Sequence, residues 1–168
     1  MTKETKTGEL PENSLAVVGM AGRFPGAKSV DEFWQLLREG REGITFFEPQ
    51  ELDPSIASEL RPDARYVRAK GVVADFDKFD AGFFGVSPLE AKLMDPQQRI
   101  MLEMAWEALE RSGHCPSTFP GLIGLYAGAD WNRYARHCVW RRPDIHERYG
   151  ETNTAMLNEF DFLTTRVS

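Results

Sequence analysis

The sequence predicts an α/β fold, and three observations lead there. Two short apolar runs, at residues 15–20 and 122–128, have the character of buried strands. Amphipathic segments carrying helix-start chemistry lie at 29–40, at 87–112 and from about residue 153. The two kinds of segment alternate along the chain, with no internal repeat or low-complexity tract between them.

The 168 residues suffice for one domain with a hydrophobic core, and 42% hydrophobic with 27% charged residues is a globular composition. A net charge of −6 argues against a binder of nucleic-acid phosphates. Arg133, Arg136, Arg141, Arg142 and Arg148 are a local exception, read as solvated surface. Two cysteines, Cys115 and Cys138, make no disulfide framework, so a reducing, cytoplasmic setting is expected. No apolar run approaches the roughly 20 residues of a membrane span. Residues 1–14 are polar, lack the apolar stretch of a secretory signal and read as a flexible leader.

Order is expected to begin with the strand Leu15-Ala16-Val17-Val18-Gly19-Met20, followed by a turn over residues 22–26. Ser29 and Glu32 have capping-box spacing, and Val30, Phe33, Trp34, Leu36 and Leu37 form the apolar face of a helix that Gly40 stops. Residues 41–70, interrupted by Pro49, Pro54 and Pro62, read as an irregular excursion with a short helix near 55–60. A short strand is expected at Gly71-Val72-Val73. Phe76, Phe79, Phe83 and Phe84, threaded with Asp75, Asp77 and Asp80, read as a loop pinned to the core by its rings. Ser87-Pro88-Leu89-Glu90 starts one helix and Asp95-Pro96 a longer one, running to about Ser112 before Gly113. The wide apolar surface of that helix, Trp106 included, predicts burial between layers. Residues 122–128 then read as a buried strand, and 131–150 as a polar segment broken at Pro143. The last helix should use Met156, Leu157, Phe160, Leu163 and Val167 as its inner face. It reaches Ser168 without Gly, Pro or a polar tail, so the domain is expected to continue.

No catalytic constellation emerges from the residues themselves. Glycines around residues 19–26 lack dinucleotide-binding spacing, and no Gly-Lys-Ser/Thr follows for a phosphate loop. His114, His137 and His146 show no metal spacing with either cysteine. His114 and Cys115 are neighbours in sequence, which does not make a nucleophile and its base. Glu103, Glu107 and Glu110 read as solvated charge on one side of the long helix.

Three segments together resemble the β-ketoacyl synthase family, specifically the ketosynthase domains of modular polyketide and mixed peptide–polyketide synthases. The first runs from Leu15 through Gly19-Met20-Ala21-Gly22-Arg23-Phe24-Pro25-Gly26-Ala27 to Phe33-Trp34 and Leu37. The second, long and specific, spans Phe79-Asp80-Ala81-Gly82-Phe83-Phe84-Gly85-Val86-Ser87-Pro88, Met94-Asp95-Pro96-Gln97-Gln98-Arg99 and Ala105-Trp106-Glu107-Ala108-Leu109-Glu110. The third is Asp161-Phe162-Leu163 through Thr165-Arg166-Val167-Ser168, supported by Gly124, Tyr126 and Gly128. Gly22 departs from many relatives, which carry a non-catalytic cysteine there; residues 132–150 match nothing residue by residue.

The resemblance implies the N-terminal part of a thiolase-like layered α/β/α/β/α fold over residues 15–168, usually dimeric. It implies polyketide elongation by decarboxylative Claisen condensation. Substrates would arrive on the phosphopantetheine arm of an acyl carrier protein, with no cofactor or metal bound directly. It further implies that the nucleophilic cysteine and both catalytic histidines follow Ser168, so that this chain holds no catalytic residue. The alternative is a non-catalytic structural or interaction half of a split or truncated ketosynthase. Neither reading involves nucleic acid or a membrane.

Overall fold

The computed structural model describes residues 13–168, so most of the expected leader lies outside the described residues. Helix α1 (Val30–Arg38) starts where the capping signal placed it, with the Ser29 hydroxyl accepting from the Glu32 N–H at 3.1 Å. The reciprocal arm of the box differs from expectation. The Glu32 carboxylate accepts from the Lys28 N–H at 2.7 Å, one residue earlier than Ser29. Leu36 is buried, but Trp34 and Leu37 face solvent. Before α1, the turn closes by paired hydrogen bonds between Phe24 and Ala27, and the Phe24 ring stacks on Phe33 at 4.2 Å.

Strand β1 (Ile44–Phe46) pairs antiparallel with β2 (Ala69–Gly71), Thr45 facing Lys70. The strand expected at 71–73 therefore sits two residues earlier. No helix forms at 55–60. Asp53 and Asp63 each bend the chain by accepting the N–H two residues on, both at 2.8 Å. Arg61 then bonds the Ile56 carbonyl at 3.0 Å and the Pro54 carbonyl at 2.8 Å. These local bonds take the groups a helix would have needed.

Of the four rings expected to pin the aromatic loop to the core, Phe79 and Phe84 do so, whereas Phe76 and Phe83 are about half exposed. Phe79 and Phe84 stack at 5.3 Å and pack against the core, while Phe83 meets Trp106 edge-on at 4.8 Å. Helix α2 (Pro88–Leu93) has a complete capping box: the Ser87 hydroxyl accepts from the Glu90 N–H, and Glu90 accepts from the Ser87 N–H. Helix α3 (Pro96–Ser112) is capped by Asp95, which accepts from the Gln97 N–H at 2.8 Å, and ends at Gly113 with φ of 72°, a left-handed turn suited to glycine. Trp106 is 47% exposed, so α3 is not buried on all sides.

Neither apolar run forms a strand. Leu15, Val17, Leu122 and Tyr126 are largely exposed, and residues 15–20 and 122–128 carry no ladder. Strand character is a property of pairing, and among the described residues no neighbour supplies the hydrogen bonds. Both runs nevertheless approach the same face of α3. A Cβ at Gly19 would come within 2.4 Å of the Ala108 carbonyl oxygen, so only glycine allows this crossing.

The remainder is helical. A π-helical turn at Ala135–Val139 leads to α4 (Pro143–Tyr149), α5 (Glu151–Met156), a 3-10 turn at Phe160–Phe162 and α6 (Leu163–Val167). The single last helix expected from the sequence is thus broken at residues 157–159. There the Leu157 carbonyl accepts from the Asp95 N–H at 3.3 Å instead of continuing α5. Leu157 and Leu163 are buried as expected, whereas Met156 and Phe160 are exposed. The core joins Leu93, Met94, Leu102, Val139, Ile145 and Leu157, which seats the unmatched 132–150 segment on α2 and α3.

Candidate functional site

The sequence-flagged thiols and imidazoles are not assembled. Cys115 is exposed in the turn after α3, its Sγ 3.1 Å from the Ser117 hydroxyl. That bond, with further bonds from Ser117 and Thr118, holds the thiol below its usual range. The neighbouring His114 ring lies against Phe119 instead, centroids 5.0 Å apart. Cys138 is exposed on the π-helical turn beside His137, and His146 falls within α4. Among the described residues no group of His, Cys, Asp and Glu could hold a metal ion.

Of the glutamates read as solvated, Glu103 departs from expectation. It is mostly buried and paired with Arg23, Nη2 to Oε2 2.6 Å, which ties the turn before α1 to α3. Glu107 pairs with Arg111 along α3 at 2.8 Å.

What the chain does build is a polar lattice that fixes the helices following α3 against α2 and α3. Asn158 is its centre, 2% exposed. Its Nδ2 donates to the Leu93 carbonyl at 3.0 Å and the Thr154 carbonyl at 2.8 Å. Both carbonyls belong to helix C-terminal turns, where the intrahelical partner is missing. Asn132 Nδ2 donates to the Asn158 backbone carbonyl at 2.8 Å, and its Oδ1 accepts from the Ala135 N–H, starting the π-helical turn.

A second limb holds α6. Arg166 donates from Nε to Gln98 Oε1 at 2.9 Å and from Nη2 to the Met156 carbonyl at 2.7 Å. Gln98, buried in the first turn of α3, donates in turn to the Glu159 carbonyl at 3.1 Å. Burial lowers the Arg166 pKa, partly opposed by the nearby Glu90 and Tyr149. The Tyr149 hydroxyl donates to Glu90 Oε1 at 2.7 Å. Burial and then that bond push the tyrosine up to about 12, while the Ser87 and Tyr149 bonds hold Glu90 below its usual range.

None of these groups is an activated nucleophile. Their chemistry is positional: they fix the direction of α6 relative to α3. Gln98 and Arg166 lie inside the sequence segments carrying the family resemblance, but Asn132, Tyr149 and Asn158 had no signal. Their partners are backbone carbonyls or residues about 25 to 60 positions away, which periodicity cannot reveal.

The family model for the β-ketoacyl synthase N-terminal domain matches residues 12–168. The chain is 42% identical over 166 residues to a phenolphthiocerol/phthiocerol polyketide synthase polypeptide of Mycobacterium tuberculosis, covering 95% of this chain and 11% of that protein. It is 36% identical over 156 residues to polyketide synthase GfsE of Streptomyces halstedii, covering 89% of this chain and 4% of that protein. A ketosynthase from module 6 of the bacillaene synthase of Bacillus subtilis superposes with a TM-score of 0.63 at 30% identity, over 90% of this chain and 22% of that one. A ketosynthase from module 1 of the bacillaene synthase of Bacillus amyloliquefaciens superposes with a TM-score of 0.51 at 48% identity, over 59% of this chain and 17% of that one. The chain therefore spans a small part of the proteins it resembles, and the thiolase-like α/β class expected from the resemblance holds. From the capped α2–α3 unit to the helices locked onto it, this chain belongs to the β-ketoacyl synthase family and corresponds to its N-terminal domain.

Proposed function

We propose that this chain forms the N-terminal part of a ketosynthase that extends polyketide chains by decarboxylative Claisen condensation. In that reaction a cysteine thiolate takes the acyl group from the phosphopantetheine thioester of a carrier protein, releasing the carrier thiol. A malonyl thioester on a carrier protein then loses carbon dioxide. The resulting enolate carbon attacks the acyl-cysteine carbonyl, and the cysteine thiolate leaves. The nucleophile and two histidines that assist decarboxylation belong, in this reading, to the chain that follows Ser168, and the parent protein is a homodimer. No metal or bound cofactor is needed. The observation that carries the reading is the match of residues 12–168 to the family's N-terminal domain. The contribution of the present residues is the framework described above, with Arg166 and Gln98 orienting α6.

A second reading, a non-catalytic interaction half, is favoured by the exposed apolar residues Leu15, Val17, Leu122 and Tyr126. One experiment separates the two. The parent protein and residues 1–168 alone are each incubated with an acyl-pantetheine thioester near neutral pH and weighed by intact-protein mass spectrometry. The parent should gain one acyl group on a cysteine outside residues 1–168, and the shorter chain none. Stoichiometric label on Cys115 or Cys138 would overturn the assignment of the nucleophile. A parent that stays unlabelled would favour the interaction half.

A further inference from the structure

Gln98 sits in the first turn of α3, 2% exposed, and its amide bonds two different parts of the chain. Its Oε1 accepts from Arg166 Nε of α6 at 2.9 Å, and its Nε2 donates to the Glu159 carbonyl, in the break after α5, at 3.1 Å. Arg166 can only donate and a carbonyl can only accept, so a side-chain amide serves both partners at once. A carboxylate in its place would suit Arg166 alone, and an apolar side chain neither. Packing by itself does not fix α6. Leu163 is buried at its start, but a cavity of about 460 Å³ is lined by Arg166 and Val167 near its end and by Leu102, Ala105 and Trp106 of α3. A five-residue helix with open space beside its last turn takes its direction from its polar ties.

We infer that Gln98 is a positioning residue for the condensation: by holding both Arg166 and the Glu159 carbonyl, it sets the direction in which the chain leaves α6 towards the nucleophile. The inference rests on the ketosynthase reading, in which the nucleophilic cysteine is carried by the chain that follows Ser168. Arg166, in the last turn of α6, adjoins that junction. Displacing reacting atoms by about 1 Å costs on the order of 100-fold in rate, so a change in the direction of α6 is read in kcat. Gln98 touches no substrate in this assignment and acts through Arg166 and α6.

Gln98→Glu in the parent protein tests the assignment, because it keeps the side-chain size and the tie to Arg166 while removing the donor to Glu159. Acylation of the protein by hexanoyl-pantetheine should lose about ten-fold or more in kcat, with KM unchanged. The acylated cysteine, located by peptide mass mapping, is also alkylated with iodoacetamide across a range of pH. A nucleophile moved off the groups that stabilise its thiolate titrates closer to the roughly 8.5 of a free thiol, so the alkylation midpoint should rise. Arg166→Lys keeps the charge but presents its donors from one nitrogen, rather than from Nε to Gln98 and Nη2 to the Met156 carbonyl. It should move both readouts the same way, and it decides the matter if Gln98→Glu does not fold. Ser29→Ala removes the cap of α1, which takes no part in these bonds, and should lower stability while leaving kcat and the midpoint unchanged. Wild-type kcat and midpoint in folded Gln98→Glu overturn the assignment. So does an equal loss in Ser29→Ala, which would mean that stability alone is being read. A wild-type parent with no acylated cysteine refutes the ketosynthase reading, and the positioning role falls with it, whereas an acylated wild type with unmoved variants refutes positioning alone.

Discussion

Removing the Asn158 amide is the most direct test of the lattice that joins α2 to the helices after it. The side chain is 2% exposed and supplies the donors for the Leu93 and Thr154 carbonyls at 3.0 and 2.8 Å. In Asn158→Ala both acceptors stay buried without those donors. Each costs about 1–3 kcal/mol, so the pair accounts for about 2–6 kcal/mol, and the vacated volume adds to it. That is a large share of the roughly 5–15 kcal/mol that keeps a domain folded. Asn158→Asp keeps the volume but turns a carboxylate toward two carbonyls, and should cost at least as much. Asn132→Ala shares the network through its bond to the Asn158 backbone, so the double variant should be non-additive. Urea denaturation of the protein, followed by far-UV circular dichroism, reads all three. An Asn158→Ala midpoint indistinguishable from wild type would refute the argument, because it would mean that those carbonyls are satisfied some other way.

Three further outcomes are expected. Trp106→Ala should cost about 1–2 kcal/mol in the same urea denaturation as Asn158→Ala, less than a fully buried indole, because the ring is already 47% exposed and keeps mainly its edge-on contact with Phe83. Tyr149 has its folded pKa raised from 10.0 to about 12, so its contribution to stability is fully present below pH 10 and is lost as pH rises through about 12. Glu90, with its folded pKa lowered from 4.5, contributes above that pH and loses its contribution as pH falls through the depressed value; Tyr149→Phe should diminish both effects in pH-dependent melts. Residues 1–168 alone should self-associate and bind the dye ANS, since Leu15, Val17, Leu122 and Tyr126 are exposed, and a sharply melting monomer in the ultracentrifuge would contradict this.

The helix starts were legible because capping is local. Ser29, Ser87 and Asp95 each satisfy an N–H two or three residues away, and a few residues of sequence contain the whole interaction. Gly113 ends α3 for the same kind of reason, its left-handed φ being a property of one residue. The aromatic loop was readable in part, since Phe79 and Phe84 take cover against the core while Phe76 and Phe83 stay exposed. The strands were not. Residues 15–20 and 122–128 have the right side chains, but a ladder depends on a neighbour from another part of a chain. The break between α5 and α6 was equally hidden, because Leu157 gives its carbonyl to Asp95, more than sixty residues earlier. Local composition therefore determined where α1, α2 and α3 begin and which family the chain resembles. Only the tertiary structure decided which polar groups meet: Asn158 with Leu93, Arg166 with Gln98 and Tyr149 with Glu90. The physical reason is distance along the chain, since hydrogen bonds and charge act within a few ångströms in space but leave no periodic trace in sequence when their partners are far apart.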